Sequence, residues 1–214
     1  PEKDLEWSDQ GVEGCFRFIN RVWRLTASYA DKVYSVEVPS RFGELGKAER
    51  VLRRWVHYAV RKVTQDIETR FNFNTAISAI MEMVNAMYHY RDQVPEAEQN
   101  RAVVKEALTM LVLLLAPFTP HLAEELWRAI GFTESVHCQR WPQHDPEALV
   151  EEEITIVVQI NGRVRERLTL PAGLSEEELK ETVLSDERVQ RAIKGKELVK
   201  AVAVPDKLVS LVVK

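Results

Sequence analysis

The hydrophobic period changes once along the chain. From Ser8 to about Gly131 the apolar residues recur at helical spacing, whereas beyond Trp141-Pro142-Gln143-His144-Asp145-Pro146 they alternate as in half-buried strands. No single layer of secondary structure accommodates both patterns. Two domains are therefore expected: an all-α helical bundle over 1–145 and a small α+β domain over 146–214. A chain of 214 residues is long enough for both to bury a core.

In the first region a helix is expected from Ser8 to about Tyr29, with Ser8 as its N-cap. Phe16, Ile19, Trp23 and Thr26 step along one side, and Phe18, Val22, Leu25 and Tyr29 widen the stripe expected to be buried. Tyr34 to Gly46, with Pro39, Gly43 and Gly46, breaks the period and reads as a connection. Further helices are expected over about Lys47 to Arg70, Thr75 to Asp92 with Asn74 as cap, and Glu98 to Ala116. Pro117 and Pro120 close the fourth helix and open a short fifth, with Thr119 as cap and Gly131 as stop. Short loops between helices of this length imply a mainly antiparallel bundle. Trp7, Trp23, Trp55 and Trp127 are expected to anchor a core or a domain interface.

In the second region Ile154 to Ile160 and Arg163 to Leu170 read as strands around an Asn161-Gly162 turn. Ser175 followed by three glutamates starts a helix, and Glu187 to Lys194 forms a shorter one. Strands over about Leu198 to Val204 and Leu208 to Val213 complete a β-β-α-α-β-β order. The turn poses a choice of register. A two-residue turn would pair Ile160 with Arg163, Val158 with Arg165 and Ile156 with Arg167, setting three arginines on the aliphatic face. A three-residue loop ending in left-handed Gly162 pairs Gln159 with Arg163 and Val158 with Val164, which returns the arginines to the other face. Burial favours the second register, so a bulged turn is expected. Ile160 opposite Arg163 would contradict it.

Several classes of function lose support. The longest apolar run, Leu111 to Ala116, falls far short of the roughly 20 residues that cross a bilayer. The first residues carry no basic-then-apolar signal pattern. The start at Pro1, without methionine, suggests a piece of a longer polypeptide. Cys15 and Cys138 belong to no CxxC pair and are expected to be small buried residues in a reducing cytoplasm. There is no Walker-type phosphate loop, GxGxxG, HExxH or GxSxG, so no catalytic residue is assigned. His121 with Glu124-Glu125 lacks a second histidine, and His137, Cys138 and His144 lack a fourth ligand, so no metal is expected.

Basic faces remain. Arg163, Arg165 and Arg167 follow one another at spacing two, about 7 Å apart on a strand, close to the phosphate spacing of a nucleic-acid strand. Lys194, Lys196, Lys200 and Lys207 add charge nearby if the last strands pair with the hairpin. In the bundle, Arg17, Arg21 and Arg24 share a stripe of the first helix, and Arg53, Arg54, Arg61 and Lys62 cluster on the second. Each group either contacts RNA backbone or is a solvated face, and on the residues alone the solvated face is the simpler account. Net charge is -4, so any RNA contact must be local rather than global.

Several stretches resemble the part of bacterial leucyl-tRNA synthetases that follows the catalytic domain. They are Pro1-Glu2-Lys3-Asp4-Leu5-Glu6-Trp7-Ser8-Asp9, Gly11-Val12-Glu13-Gly14 and Arg17-Phe18-Ile19-Asn20-Arg21-Val22-Trp23, with Phe73-Asn74-Thr75-Ala76-Ile77 and Met83-Val84-Asn85. The tail Val158-Gln159-Ile160-Asn161-Gly162-Arg163-Val164-Arg165 is similar to that family's C-terminal domain. Leu115-Ala116-Pro117-Phe118-Thr119-Pro120-His121-Leu122-Ala123-Glu124-Glu125-Leu126-Trp127 is shared more loosely by class I synthetases for aliphatic amino acids. The resemblance implies an anticodon-binding-type bundle followed by a C-terminal tRNA-binding domain. Together they would dock tRNA(Leu) by its body and by the elbow where the D and T loops meet. It also implies a cytoplasmic monomer partnered by the catalytic domain of the same polypeptide, which uses ATP and magnesium to charge leucine. No cofactor is implied for this stretch. The alternatives are a free-standing tRNA-binding module derived from a synthetase, and the equivalent tail of a valyl or isoleucyl enzyme.

Overall fold

The computed structural model describes residues 8–150, 153–172, 174–205 and 207–214. The chain divides into two compact units, Pro1–Val150 and Glu151–Lys214. Each has its own apolar core. Trp7 lies outside the described residues.

The first unit is a helical bundle of α1 (Asp9–Val33), α2 (Lys47–Arg70), α3 (Phe73–Gln93), α4 (Arg101–Leu115) and α5 (Pro120–Ala129). Ser8 caps α1 as expected, its hydroxyl accepting from Gly11 N at 3.2 Å. The helix continues one turn past Tyr29, because Val33 is fully buried and extends the apolar face made by Val22, Leu25, Thr26 and Tyr29. Phe16 and Trp23 were expected in that stripe but stay 65% and 46% exposed, so the buried stripe is narrower than their spacing suggested.

Asn74 does not cap α3. Asn72 occupies that position without a side-chain cap bond, and the Asn74 carbonyl instead accepts from Ser78 Oγ. α4 starts at Arg101 and not at the expected Glu98, with the Asn100 side chain accepting from Ala102 N and Val103 N, and Glu96–Glu98 is a separate 3-10 helix. Thr119 precedes α5, but its hydroxyl donates backward to Leu115 O and caps nothing. Pro120 begins that helix and Gly131, at φ +102, ends it. A side chain at Gly131 would collide with the Tyr34 carbonyl, so glycine is required where the end of α5 meets the loop after α1.

α4 is buried nearly all round and carries two charged residues into the core. The Lys105 ammonium donates to Val33 O at 3.1 Å and to Ile130 O, capping the ends of α1 and α5 together. Phe132 covers it at 4.6 Å and itself stacks on Trp127. Burial lowers the Lys105 pKa. Cys15 and Cys138 are both exposed, contrary to expectation. Each sits on a surface turn of helix where burial had nothing to offer.

The second unit follows the expected order: β1 (Glu153–Ile160), β2 (Arg163–Pro171), α6 (Glu176–Ser185), α7 (Glu187–Ile193), β3 (Leu198–Val204) and β4 (Leu208–Val213). Ser175 and Glu178 form a complete capping box at α6. The sheet order is β2-β1-β4-β3, with β1 and β4 parallel in the centre. Ile156, Val158, Ile160, Leu168, Val209 and Leu211 share a core with Leu179 and Val183 of α6 and Val189 of α7. One face of the sheet is thus covered by helices.

The hairpin departs from the expected register. Ile160 lies opposite Arg163, so the turn has two residues, with Asn161 at φ 48 and Gly162 at φ 76. The bulge falls one pair further along, where Gln159 faces Val164 and Val158 faces Glu166, leaving Arg165 as the extra residue. Beyond it Ile156 faces Leu168 and Val157 faces Arg167. The conflict between arginines and aliphatic face is therefore resolved within the strand and not in the turn.

Candidate nucleic-acid interface

In the bundle most of the candidate cations are already engaged. Arg53 Nε donates to Glu106 Oε2 at 2.7 Å, and its Nη2 donates to Glu106 Oε1 and Asp145 Oδ2. Its side chain is only 13% exposed and lies over Phe42. Arg53 is a structural tie, not a free contact. Lys62 donates to both oxygens of Asp66. Arg17 pairs with Glu13, and Arg21 donates to Asn85 Oδ1 at 2.8 Å beside the Tyr88 ring. Arg24 bonds the Asn20 carbonyl, while Arg54 and Arg61 lie near the rings of Trp55 and Tyr58. Pairing of this kind discounts the bundle as a source of bare positive charge.

His57 completes the Arg53 group. Asp145 N donates to His57 Nδ1 at 3.0 Å, which requires a lone pair there, so the proton resides on Nε2, 3.2 Å from Glu106 Oε1. Burial alone would raise the Glu106 pKa, but hydrogen bonds from His57 and Arg53 outweigh it and hold the carboxyl below its usual range. Together with the Trp141 indole, which donates to Thr64, these bonds strap the segment after the bundle onto α2. Among the described residues no three histidine, cysteine or acidic side chains group as metal ligands. Among the described residues no helix is long and apolar enough to cross a membrane.

The sheet presents a different surface. Arg163, Arg165, Arg167, Lys194, Lys196, Lys200 and Lys207 are all exposed. The register separates the three arginines, which do not line one face. Arg163 has the facing of Ile160 at the turn, Arg165 is the bulge, and Arg167 has the facing of Val157 on the uncovered side. Nor do the last strands carry Lys200 to the hairpin's arginines, since β2 and β3 form opposite edges of the sheet.

The ladders place Thr155, Val157 and Gln159 on the uncovered face with Val164, Arg167 and Thr169 of β2. Leu208, Ser210 and Val212 of β4 and Lys200, Val202 and Val204 of β3 continue it. Val164 is 54% exposed, and Val202, Val204 and Val212 are also exposed. This face has apolar centres and a cation on each outer strand. The valines were readable as strand residues, but which of their two faces stays open depended on the placement of α6 and α7.

Residues 49–181, more than half of the chain, match the family described as the anticodon-binding domain of tRNA ligase. The match runs past the division between the two units. The chain is also similar to a leucyl-tRNA synthetase of Agrobacterium radiobacter, solved in a ternary complex with tRNA and LeuAMS. Identity is 33% and the TM-score 0.80, over 98% of this chain and 27% of that one. The chain thus spans about a quarter of the length of that synthetase.

Proposed function

The chain belongs to the anticodon-binding domain family of tRNA ligases, and from that premise we propose that it is the tRNA-docking portion of a leucine-tRNA ligase. The observation that carries this is the likeness to a leucyl enzyme across nearly the whole chain, through the bundle and the sheet unit alike. Catalysis, with its ATP and magnesium, belongs to the remainder of such an enzyme. The exposed Val12, Phe16 and Trp23 of α1 suit a surface that packs on another domain of the same polypeptide. Recognition of tRNA body and elbow would rest on backbone and shape, the usual mode for structured RNA. The exposed cations of the second unit support it as a main contact.

Two measurements test the proposal. Leucine-dependent ATP–pyrophosphate exchange by this chain should be nil, and clear activity would overturn the noncatalytic part. Replacing Arg163, Arg165 and Arg167 by glutamine should weaken tRNA binding and make its salt dependence shallower, by about 1 log unit per log salt for each phosphate left without its cation. Because the register splits these residues, Arg167→Gln with Lys200→Gln should cost more than Arg163→Gln with Lys200→Gln. Unchanged affinity and slope would leave all of them as surface charge. Sequencing the tRNA that the chain captures separates leucine isoacceptors from those for valine or isoleucine.

A further inference from the structure

The two edges of the sheet differ. β2 is guarded: Arg163, Arg165 and Arg167 stand along it, and the bulge at Arg165 interrupts its ladder. Charges and bulges of this kind keep edge strands from pairing with other chains. β3 forms the other edge, and from Lys200 to Val204 its ladder with β4 runs without a break. The exposed side chains there are Lys200, Val202 and Val204. The backbone at this edge is open as well. Asn161 N donates to Leu211 O and Val157 N to Lys207 O, so β4 turns its odd-numbered backbone groups to β1. Its even-numbered groups face β3, and just beyond the strand Lys214 and Glu197 exchange two bonds. Lys200, Val202 and Val204 are thus the residues bonded to β4, and Ala201 and Ala203 aim amide and carbonyl outward. Among the described residues no hydrogen bond reaches those four groups.

We propose that β3 takes up one extended segment of an acidic protein partner as a fifth, antiparallel strand. This goes beyond tRNA docking and does not depend on it. An extended chain repeats donors and acceptors at the spacing that Ala201 and Ala203 require. RNA phosphates accept from the two amides but leave the two carbonyls without donors and the valines without apolar contact. Charge selects among peptides. From Lys194 to Lys207 the sequence holds four lysines against Glu197 and Asp206, a basic rim that favours an acidic strand. A second copy of β3 would bring two such rims together. It would also bring α6, which packs on β3 and carries Glu176, Glu177, Glu178 and Glu181, toward its own copy. Because α6 covers the other side of β3, the partner's carboxylates belong on the open side beside Lys200, with uncharged residues next to the helix.

The test uses the whole chain, isotopically labelled, and a seven-residue peptide with threonine at odd positions, valine at the second and fourth and glutamate at the sixth. In the proposed register the glutamate falls opposite Lys200, and the third and fifth residues fall opposite Ala203 and Ala201. Amide shifts should saturate during titration, with hydrogen exchange at Ala201 and Ala203 slowed at least 10-fold. N-methylation of the third and fifth peptide residues removes the N–H groups aimed at β3 and should abolish both effects. The same modification at the second and fourth, whose N–H groups point away, should leave them. Lysine in place of the peptide's glutamate should weaken binding several-fold, and Lys200→Glu should reverse that preference. No saturable shift, equal loss from both methylation patterns, or indifference to the charge exchange would overturn the proposal. Slowing of the same two amides by rising protein concentration alone would give the edge to a second copy and overturn it as well.

Discussion

Glu106 is the residue whose replacement should be felt most widely in the bundle. It accepts from Arg53 and His57 in the interior, and Arg53 reaches Asp145 from the same guanidinium. Breaking one partner out of a buried ion pair typically costs about 3–5 kcal/mol, since the other charge is left desolvated. Asp145 remains to Arg53, so Glu106→Gln should fall near about 3 kcal/mol in urea unfolding at neutral pH. The sign of the pH effect follows from the depressed pKa. An unfolded glutamate titrates near about 4.3, so the stabilisation is complete above that value and is lost as pH falls through the lower folded pKa. Wild type should therefore lose stability more steeply than Glu106→Gln below about pH 4.3. Parallel acid limbs in the two proteins would contradict this assignment.

Among the elements, the hairpin is pinned from outside itself. The Asn161 amide donates to Val213 O at 3.0 Å and its oxygen accepts from Val213 N at 2.9 Å, so one turn residue closes the ladder onto β4. Asn161→Ala loses both bonds and forces alanine into a left-handed backbone, so a loss of about 2–3 kcal/mol is expected. Gly162→Ala meets no neighbour and bears only the conformational cost, about 1 kcal/mol. Amide exchange of the sheet should rank the two in that order, and the reverse ranking would refute the link to Val213. The same element marks the limit of what the sequence could convey. The clash between alternating arginines and an aliphatic face was legible, as was the need for an extra residue. Its position at Arg165 was not, because a partner some fifty residues away holds the turn. The burial of Arg53 was missed, although a signal existed: it shares a helical face with the buried Val56, His57 and Val60, three, four and seven positions on.

Across the whole molecule, a net charge of -4 is compatible with binding a polyanion because the charges are segregated. The four strands carry Arg163, Arg165, Arg167 and Lys200 against Glu153 and Glu166, while the two helices of the same unit carry Glu176, Glu177, Glu178, Glu181 and Glu187 against Lys180, Arg188 and Arg191. Over a screening length of about 8 Å at physiological salt, a phosphate at the open face senses the strands more than the chain total. The bundle differs, its arginines and lysines being largely tied to acids and carbonyls. A chain ending at Val150 should therefore keep its cooperative helical melt, since the bundle core is its own. It should lose at least 10-fold in tRNA affinity, together with most of the salt dependence, because the seven exposed cations leave with the sheet unit. Were the truncated chain to bind tRNA with wild-type affinity and slope, docking would belong to the bundle, and the cations of the sheet would be solvated charge.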